Sequence, residues 1–216
     1  MLRLKISIKF QQDIVMGVNQ SIPDAPSTIY SSSFPICGTE RRFCLPHNVE
    51  LHIKERSTSM SGGDFKVMDA NDNNIVYFRC EGRVMSSEKY LRDGAGALVL
   101  KRCSSNRIKI FADDGSAPKV CKFKSTHASL LSPAKVSTVF HNVFNGIEHE
   151  LMLKCSTSNK STAIWLCDVE TRERFPLARI FKPIMRQCGN DFIMEVAANV
   201  DIAICVIMCI DLVERC

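Results

Sequence analysis

The sequence predicts an all-β fold in which an antiparallel sheet closes into a barrel around a buried C-terminal helix. Apolar and polar side chains alternate with a period of two through most of the chain after residue 48, which is typical of half-buried strands. The chain ends on the apolar run Ile202–Ile210, between Asp201 and Asp211. A sheet of many strands tends to curl, and closing it removes exposed edges. The apolar run is then a suitable filling for the interior.

Residues 1–48 differ in composition from the rest and are predicted to form a loosely ordered extension. The stretch QSIPDAPSTIYSSSFP is rich in Ser and Pro, a composition that resists packing. Within this extension, Leu2–Phe10 alternates in polarity and could add an edge strand. We therefore expect an extension over residues 1–48 and a barrel domain over residues 49–216.

Short strands joined by tight turns are predicted to follow one another through the barrel domain. In VELHIKER, Val49, Leu51 and Ile53 share one face while the intervening residues share the other. The segment DFKVMDANDNNIVYFRC predicts a hairpin, because two β-rich runs flank a cluster of turn-forming residues. The pattern recurs as far as DFIMEVAA and gives about eleven strands, at the usual strand and connection lengths.

The C-terminal apolar run is predicted to be a buried helix. A membrane-spanning helix needs about 20 apolar residues, whereas only nine lie between Asp201 and Asp211. A helix that is apolar on every side is one buried on every side, and Asn199 or Asp201 could cap its start. A buried strand is the alternative, since Ile and Val also favour strands. The absence of any turn-forming residue between Asp201 and Glu214 favours the helix.

The composition indicates a reduced intracellular protein. The formal charge of +5 is a mild excess, far from the polybasic tails of many nucleic-acid binders, so no nucleic-acid partner is expected. The eleven cysteines are odd in number and include no CxxC pair. Lys and Arg interrupt the opening MLRLKISIKF, so it does not resemble a secretory leader. These observations predict a cytoplasmic protein with free thiols and no transmembrane segment.

No group of catalytic or cofactor-binding residues stands out in the sequence. DANDNN begins like a calcium loop, but Asn74 and Cys80 occupy the positions that need Gly and a bidentate Glu. DGAGALV lacks the third glycine and the helix of a phosphate-binding fingerprint. None of the five histidines has the spacing of a zinc site beside a cysteine pair. We therefore predict no catalytic residue, no metal and no cofactor, and a protein that is not an enzyme.

One basic cluster is a candidate phosphate-binding site. Lys101 and Arg102 end one predicted strand, and Arg107 and Lys109 begin the next after a short turn. Hairpin pairing brings the four together, and Arg107 and Lys109 lie opposite the apolar face of their strand. Such cations could hold phosphate oxygens. The alternative is a solvated strand end whose charges discourage edge-to-edge aggregation.

Three stretches of the sequence resemble the LURP-one-related family of plants, whose domain is similar to the C-terminal domain of tubby proteins. They are GDFKVMDANDNNIVYFRCEG, YLRDGAGALVLKR and DFIMEVAANVDIAICVIMCIDLVE, in the family's order. The resemblance implies a twelve-stranded barrel around a C-terminal hydrophobic helix. It also implies a link to plant stress or defence, and it strengthens the phosphate-binding hypothesis because tubby domains bind phosphoinositides through basic residues. The chain departs from the family at Cys103 and Ser104, where further basic residues are common.

Two functions follow from these expectations. The first is a non-catalytic module that docks on anionic membrane lipid, such as a phosphoinositide, or on a protein partner, and is cytoplasmic or peripheral at a membrane. The second is a barrel that carries a small apolar ligand, as lipocalin-like barrels do. The position of the C-terminal helix discriminates between them, because a helix inside the barrel leaves no room for a ligand of ordinary size.

Overall fold

Twelve antiparallel strands form a closed barrel around one helix, as the sequence predicts. The computed structural model describes residues 26–56, 63–83, 86–111, 116–127, 133–154, 161–168, 173–181 and 191–214. The strands are β1 (Val49–Glu55), β2 (Phe65–Asp69), β3 (Val76–Arg83), β4 (Ser86–Asp93), β5 (Leu98–Cys103), β6 (Arg107–Ile110), β7 (Lys119–Thr126), β8 (Lys135–His141), β9 (Glu148–Lys154), β10 (Ser161–Cys167), β11 (Arg174–Phe181) and β12 (Asp191–Val196), and the helix is α1 (Ile202–Val213).

The strands pair in sequence order, and β1 closes the barrel by pairing with both β2 and β12. Because every pairing is antiparallel, alternate connections lie at opposite ends of the barrel. The turn after β2, the turn after β8 and the start of α1 share one end, which we call the entry end. The turn between β5 and β6 and the end of α1 lie at the other, which we call the exit end.

Helix α1 fills the interior of the barrel. Its side chains from Ile202 to Leu212 are all buried, and they face inward-pointing residues such as Leu100, Val136 and Leu151. The prediction of a buried C-terminal helix is therefore confirmed, and the alternative of a buried strand is excluded. Within the part of the chain that the structure describes, there is no helix of sufficient length and apolar character to span a membrane.

The helix begins with the cap that the sequence indicates. Oδ1 of Asp201 accepts hydrogen bonds from the backbone N–H groups of Ala203 and Ile204, at 3.0 and 3.3 Å. These are two of the four N–H groups that a helix start leaves without an intrahelical partner. Asn199, the other candidate, instead takes a positive φ of 63° in the turn before the helix.

A segment ahead of β1 lies across the entry end. Ile36 and Cys44 form bridges to Val200 and Asp201, and the short helix Arg41–Phe43 buries the ring of Phe43. The expected division between residues 48 and 49 stays a prediction, since residues 1–25 lie outside the described part of the chain. Ile36 to Cys44, however, are held against the barrel by backbone hydrogen bonds.

Two ion pairs join the helix to the barrel wall near the exit end. The Nε atom of Arg102 lies 2.9 Å from Oδ1 of Asp211, and both side chains are almost fully buried. The Nζ atom of Lys89 lies 2.5 Å from Oε1 of Glu214. Asp211 lies in α1 and Glu214 caps its end, so the two pairs attach the last turn of the helix to β5 and β4.

Candidate anion-binding face

The structure brings three of the four sequence-predicted site residues together on the outside of the barrel. Lys101 on β5 pairs directly with Lys109 on β6, and Arg107 follows on the same face of β6. Arg107 and Lys109 are exposed, while Ile108 and Ile110 between and after them are buried. The predicted orientation of Arg107 and Lys109 away from the core is therefore observed.

Arg102 is separate from this cluster because it points into the barrel. Its strand partner is Ile108, whose side chain is also buried. Besides the pair with Asp211, its guanidinium donates to the carbonyl of Ser87 and, at 3.4 Å, to the hydroxyl of Ser125. Arg102 therefore holds the helix in place and is not available to an external phosphate.

Strand β7 extends the outer cluster with two lysines that the sequence reasoning missed. Lys122 pairs directly with Arg107, and Lys124 follows on the same face. We call the outward side chains of Lys101, Arg107, Lys109, Lys122 and Lys124 the basic face. The signal was present in KVCKFK, where lysines two residues apart share one side of a strand.

Most of the basic face lacks acidic partners. Lys101 is the exception: its Nζ lies 2.8 Å from Oε1 of Glu88 and 5.0 Å from the ring of Tyr90. The hydrogen bond that the Lys101 ammonium donates to Glu88 is the main cause of the raised pKa of Lys101. Arg107, Lys109, Lys122 and Lys124 form no ion pair with any acidic side chain among the described residues.

A second row of cations crosses strands β1 to β4, with one cation on each strand. Each cation lies directly opposite the next in the strand register, in the order Lys54, Lys66, Arg79 and Arg92. Glu81 partly neutralises this row, since its Oε2 lies 3.4 Å from Nε of Arg92. Strand β1 is six positions from β7 in the closed order, so Lys54 and Lys66 lie on the opposite side of the barrel from the basic face.

One group of side chains at the entry end has the residue types of a metal site. The thiols of Cys37 and Cys44 and a carboxylate oxygen of Asp201 all lie within 4.8 Å of one another. However, Oδ2 of Asp201 already accepts three hydrogen bonds: from the backbone N–H groups of Gly38 and Thr39, at 3.0 and 2.8 Å, and from the Thr39 hydroxyl, at 2.7 Å. With the two bonds at Oδ1, the carboxylate has little capacity left for a cation. Its observed role is to join the helix start to the preceding segment.

The calcium-like stretch after β2 forms a turn. Oδ1 of Asp69 accepts from the backbone N–H groups of Asn71 and Asp72, at 2.8 and 3.1 Å. Oδ1 of Asp72 accepts from Asn74 at 3.0 Å. Side chains that bond to the backbone two or three residues further on are the usual reason for Asp and Asn in turns, and they explain this composition.

Comparisons with known proteins agree with this architecture. A family model described as LURP-one-related matches residues 49–212. A crystal structure of a protein from Arabidopsis thaliana is similar in fold, with a TM-score of 0.51 and 18% sequence identity. The similarity covers 83% of this chain and 98% of that one. None of the curated proteins compared with the chain matches it.

Proposed function

The chain belongs to the LURP-one-related family, and from that premise we propose that it is a non-catalytic module that docks on anionic membrane lipid through the basic face. Phosphoinositides are the lipid class that suits this surface, because one headgroup carries several phosphates and can contact several cations. Arg107 contributes a planar guanidinium, which matches phosphate oxygens in a bidentate geometry.

The proposal rests on the density of cations in the basic face, where five outward cations lie on three adjacent strands and like charges are directly opposite one another. Lys101 faces Lys109 across one strand pair, and Arg107 faces Lys122 across the next. Such cross-strand pairs destabilise a sheet, and for Arg107 and Lys122 no acidic side chain among the described residues offsets the repulsion. An anionic headgroup bound between the cations removes it, so the binding energy includes relief of this repulsion.

A carrier of a small apolar ligand is the second candidate, and the position of α1 argues against it. The described side chains of the helix from Ile202 to Leu212 are buried against the barrel wall. A ligand of ordinary size needs a pocket of about 300–1,000 Å³. The carrier function would therefore require the helix to leave the barrel, at the cost of the ion pair between Arg102 and Asp211.

The proposal includes a cytoplasmic protein that reaches a membrane surface by peripheral docking. The family membership supports a connection to plant stress or defence as the biological setting. A protein partner that recognises the same basic face is the competing occupant, and it becomes the better explanation if the chain does not bind anionic vesicles.

Co-sedimentation with vesicles tests the proposed function. The full chain is mixed with phosphatidylcholine vesicles that contain a phosphoinositide, at low and at raised NaCl. We expect binding at low salt that weakens as salt screens the charges. Reversal of one cross-strand pair, Arg107→Glu with Lys122→Glu, should weaken binding by at least about tenfold, given about 1 kcal/mol per cation near an anionic surface.

The barrel supplies a matched control on its other side. The variant Lys54→Glu with Lys66→Glu reverses the same number of charges in another directly opposed pair, and we expect it to bind like the parent. If the parent stays in the supernatant at low salt, the lipid proposal is wrong and a protein partner becomes the better explanation. If the control variant loses binding and the basic-face variant does not, the docking surface is the row on β1 to β4.

A further inference from the structure

The exposed large apolar side chains of the described residues gather at the entry end of the barrel. Val143, Phe144 and Ile147 lie in the turn between β8 and β9, and Phe34 lies in the segment ahead of β1. Each is at least 39% exposed, and Phe34 reaches 51%. Because large apolar side chains are usually buried, a group of exposed ones at one end of the barrel indicates a contact surface.

These four side chains lie on two neighbouring backbone segments that are bonded to each other. The side-chain amide of Asn142 donates through Nδ2 to the carbonyl of Pro35 at 2.7 Å. The backbone N–H of Val143 donates to the carbonyl of Cys37 at 2.9 Å. The turn is also closed internally, since the N–H of Asn142 bonds to the carbonyl of Ile147 at 2.8 Å. We call Phe34, Val143, Phe144 and Ile147 the apolar rim.

A cation lies directly on the apolar rim. The guanidinium of Arg41 is 5.3 Å from the centre of the Phe144 ring, and among the described residues it forms no ion pair with an acidic side chain. An aromatic ring with a cation above it matches the boundary between lipid headgroups and acyl chains. At such a boundary, an aromatic ring enters the apolar layer while a guanidinium beside it stays near the phosphates.

The apolar rim is continuous with the basic face. Val120, which is 55% exposed, is the cross-strand partner of Lys109. Lys122 on β7 pairs with Val139 on β8, so Val120 lies two residues closer to the entry end, beside the turn that carries Phe144. Lys101, Lys109 and Val120 form one cross-strand row, and the other cations lie two to four residues nearer the exit end. Val120 therefore joins the cations on β5 to β7 to the apolar side chains at the entry end.

We propose that the apolar rim inserts into the interfacial layer of a lipid bilayer while the basic face contacts the anionic headgroups beside it. This inference rests on the proposed function and adds a second, salt-independent contribution to it. The chemistry of the rim favours a bilayer over a protein. Exposed apolar side chains lie beside the guanidinium of Arg41, and a cation at the edge of an apolar surface matches anionic headgroups above acyl chains.

A tryptophan placed in the rim reports insertion. Trp165 is the single tryptophan of the sequence, so Trp165→Phe provides a background without native tryptophan. The replacement removes no hydrogen bond, because the buried Nε1 has no partner among the described residues. In that background, Phe144→Trp should shift its emission to shorter wavelength on anionic vesicles and be quenched by brominated acyl chains. Ile75→Trp is the matched control: it lies at the same end in the turn after β2, on the far side of the barrel, and should do neither.

A polar variant separates the rim from the basic face. Val143→Ser with Phe144→Ser and Ile147→Ser should weaken vesicle binding by about tenfold or more, which corresponds to about 1.4 kcal/mol. The loss of binding should persist at raised salt, because salt screens interactions between charges and not apolar contacts. Thermal unfolding of the variant checks the fold, and a midpoint near the parent's is expected because all three side chains are exposed.

The outcomes distinguish the two proposals. If the parent binds anionic vesicles but tryptophan at 144 is neither shifted nor quenched, insertion is excluded and electrostatic docking stands. If the rim variant loses binding only at low salt, the rim contributes no apolar contact and the inference is overturned. If the parent binds neutral and anionic vesicles equally, the rim acts alone and the proposed electrostatic function is wrong. If the parent binds neither, both proposals fail and the surface belongs to a protein partner.

Discussion

Arg102 on β5 and Asp211 on α1 form an ion pair inside the barrel, with 2.9 Å between Nε and Oδ1. The exposed fractions of the two residues are 3% and 2%. Apart from this pair, the Lys89–Glu214 pair and the hydrogen bonds to Asp201, the helix is held by apolar contacts, which have no preferred direction. A buried pair of opposite charges admits one position of the helix along the barrel axis, so this contact sets the register between the core and the wall.

Breaking this pair should destabilise the protein strongly. Asp211→Ala leaves the Arg102 guanidinium buried without its carboxylate, and the loss of one member of a buried ion pair costs about 3–5 kcal/mol. Thermal and urea unfolding measure the effect. Arg102→Met with Asp211→Leu is the control, since apolar replacement of both partners should recover most of the loss. A single variant as stable as the parent would show that the pair contributes nothing.

The apolar helix should not tolerate a charge. Ile207 is fully buried, so Ile207→Asp places a carboxylate among apolar side chains, where it has no partner. We expect the variant to aggregate on expression, and removal of residues 201–216 to do the same. Ile75→Asp is the matched control because Ile75 is 46% exposed in a turn. A soluble, folded Ile207→Asp protein would contradict the position of the helix.

The segment across the entry end should contribute to stability, unlike the residues before it. Deleting residues 1–25 should leave the thermal midpoint nearly unchanged. Deleting residues 1–44 removes the three hydrogen-bond donors to Oδ2 of Asp201, and should lower the midpoint because a buried carboxylate is left undersatisfied. Gly38→Ala tests the same contact, since an added Cβ would lie 2.5 Å from Cδ1 of Ile204. Equal midpoints for both deletions would contradict this role.

His149 should make the fold less stable in mild acid. Burial lowers the pKa of His149 below its ordinary value of 6.5, and the charge of Asp168 partly opposes the shift. Below about pH 6.5 the unfolded chain therefore binds a proton before the folded chain does, and the free energy of unfolding falls as pH decreases. Urea unfolding of the parent and of His149→Gln at pH 7.5 and 5.5 measures this. The variant should lose less stability between the two; an equal loss would contradict the assignment.

The sequence by itself determined the kind of each element. Alternation along β1 requires one buried and one outward face, whatever lies beside it, and this local pattern indicates a strand. The run from Ile202 to Ile210 has no polar face, so it had to lie where all sides are covered. Asp201 caps the helix through bonds to residues two and three positions on. Each of these inferences depends only on near neighbours in the chain.

Only the tertiary structure decided which charges meet. Lys101 and Arg102 are adjacent and both basic, so composition could not tell which of them faces outward. The strand register decides it, because Arg102 lies opposite the buried Ile108 and therefore points into the barrel. The row from Lys54 to Arg92 draws on four strands and exists only in their register. Asp201 takes donors from Gly38 and Thr39 more than 160 positions earlier in the chain. Register and long-range contact depend on how the barrel closes, and a local pattern of side chains does not contain that information.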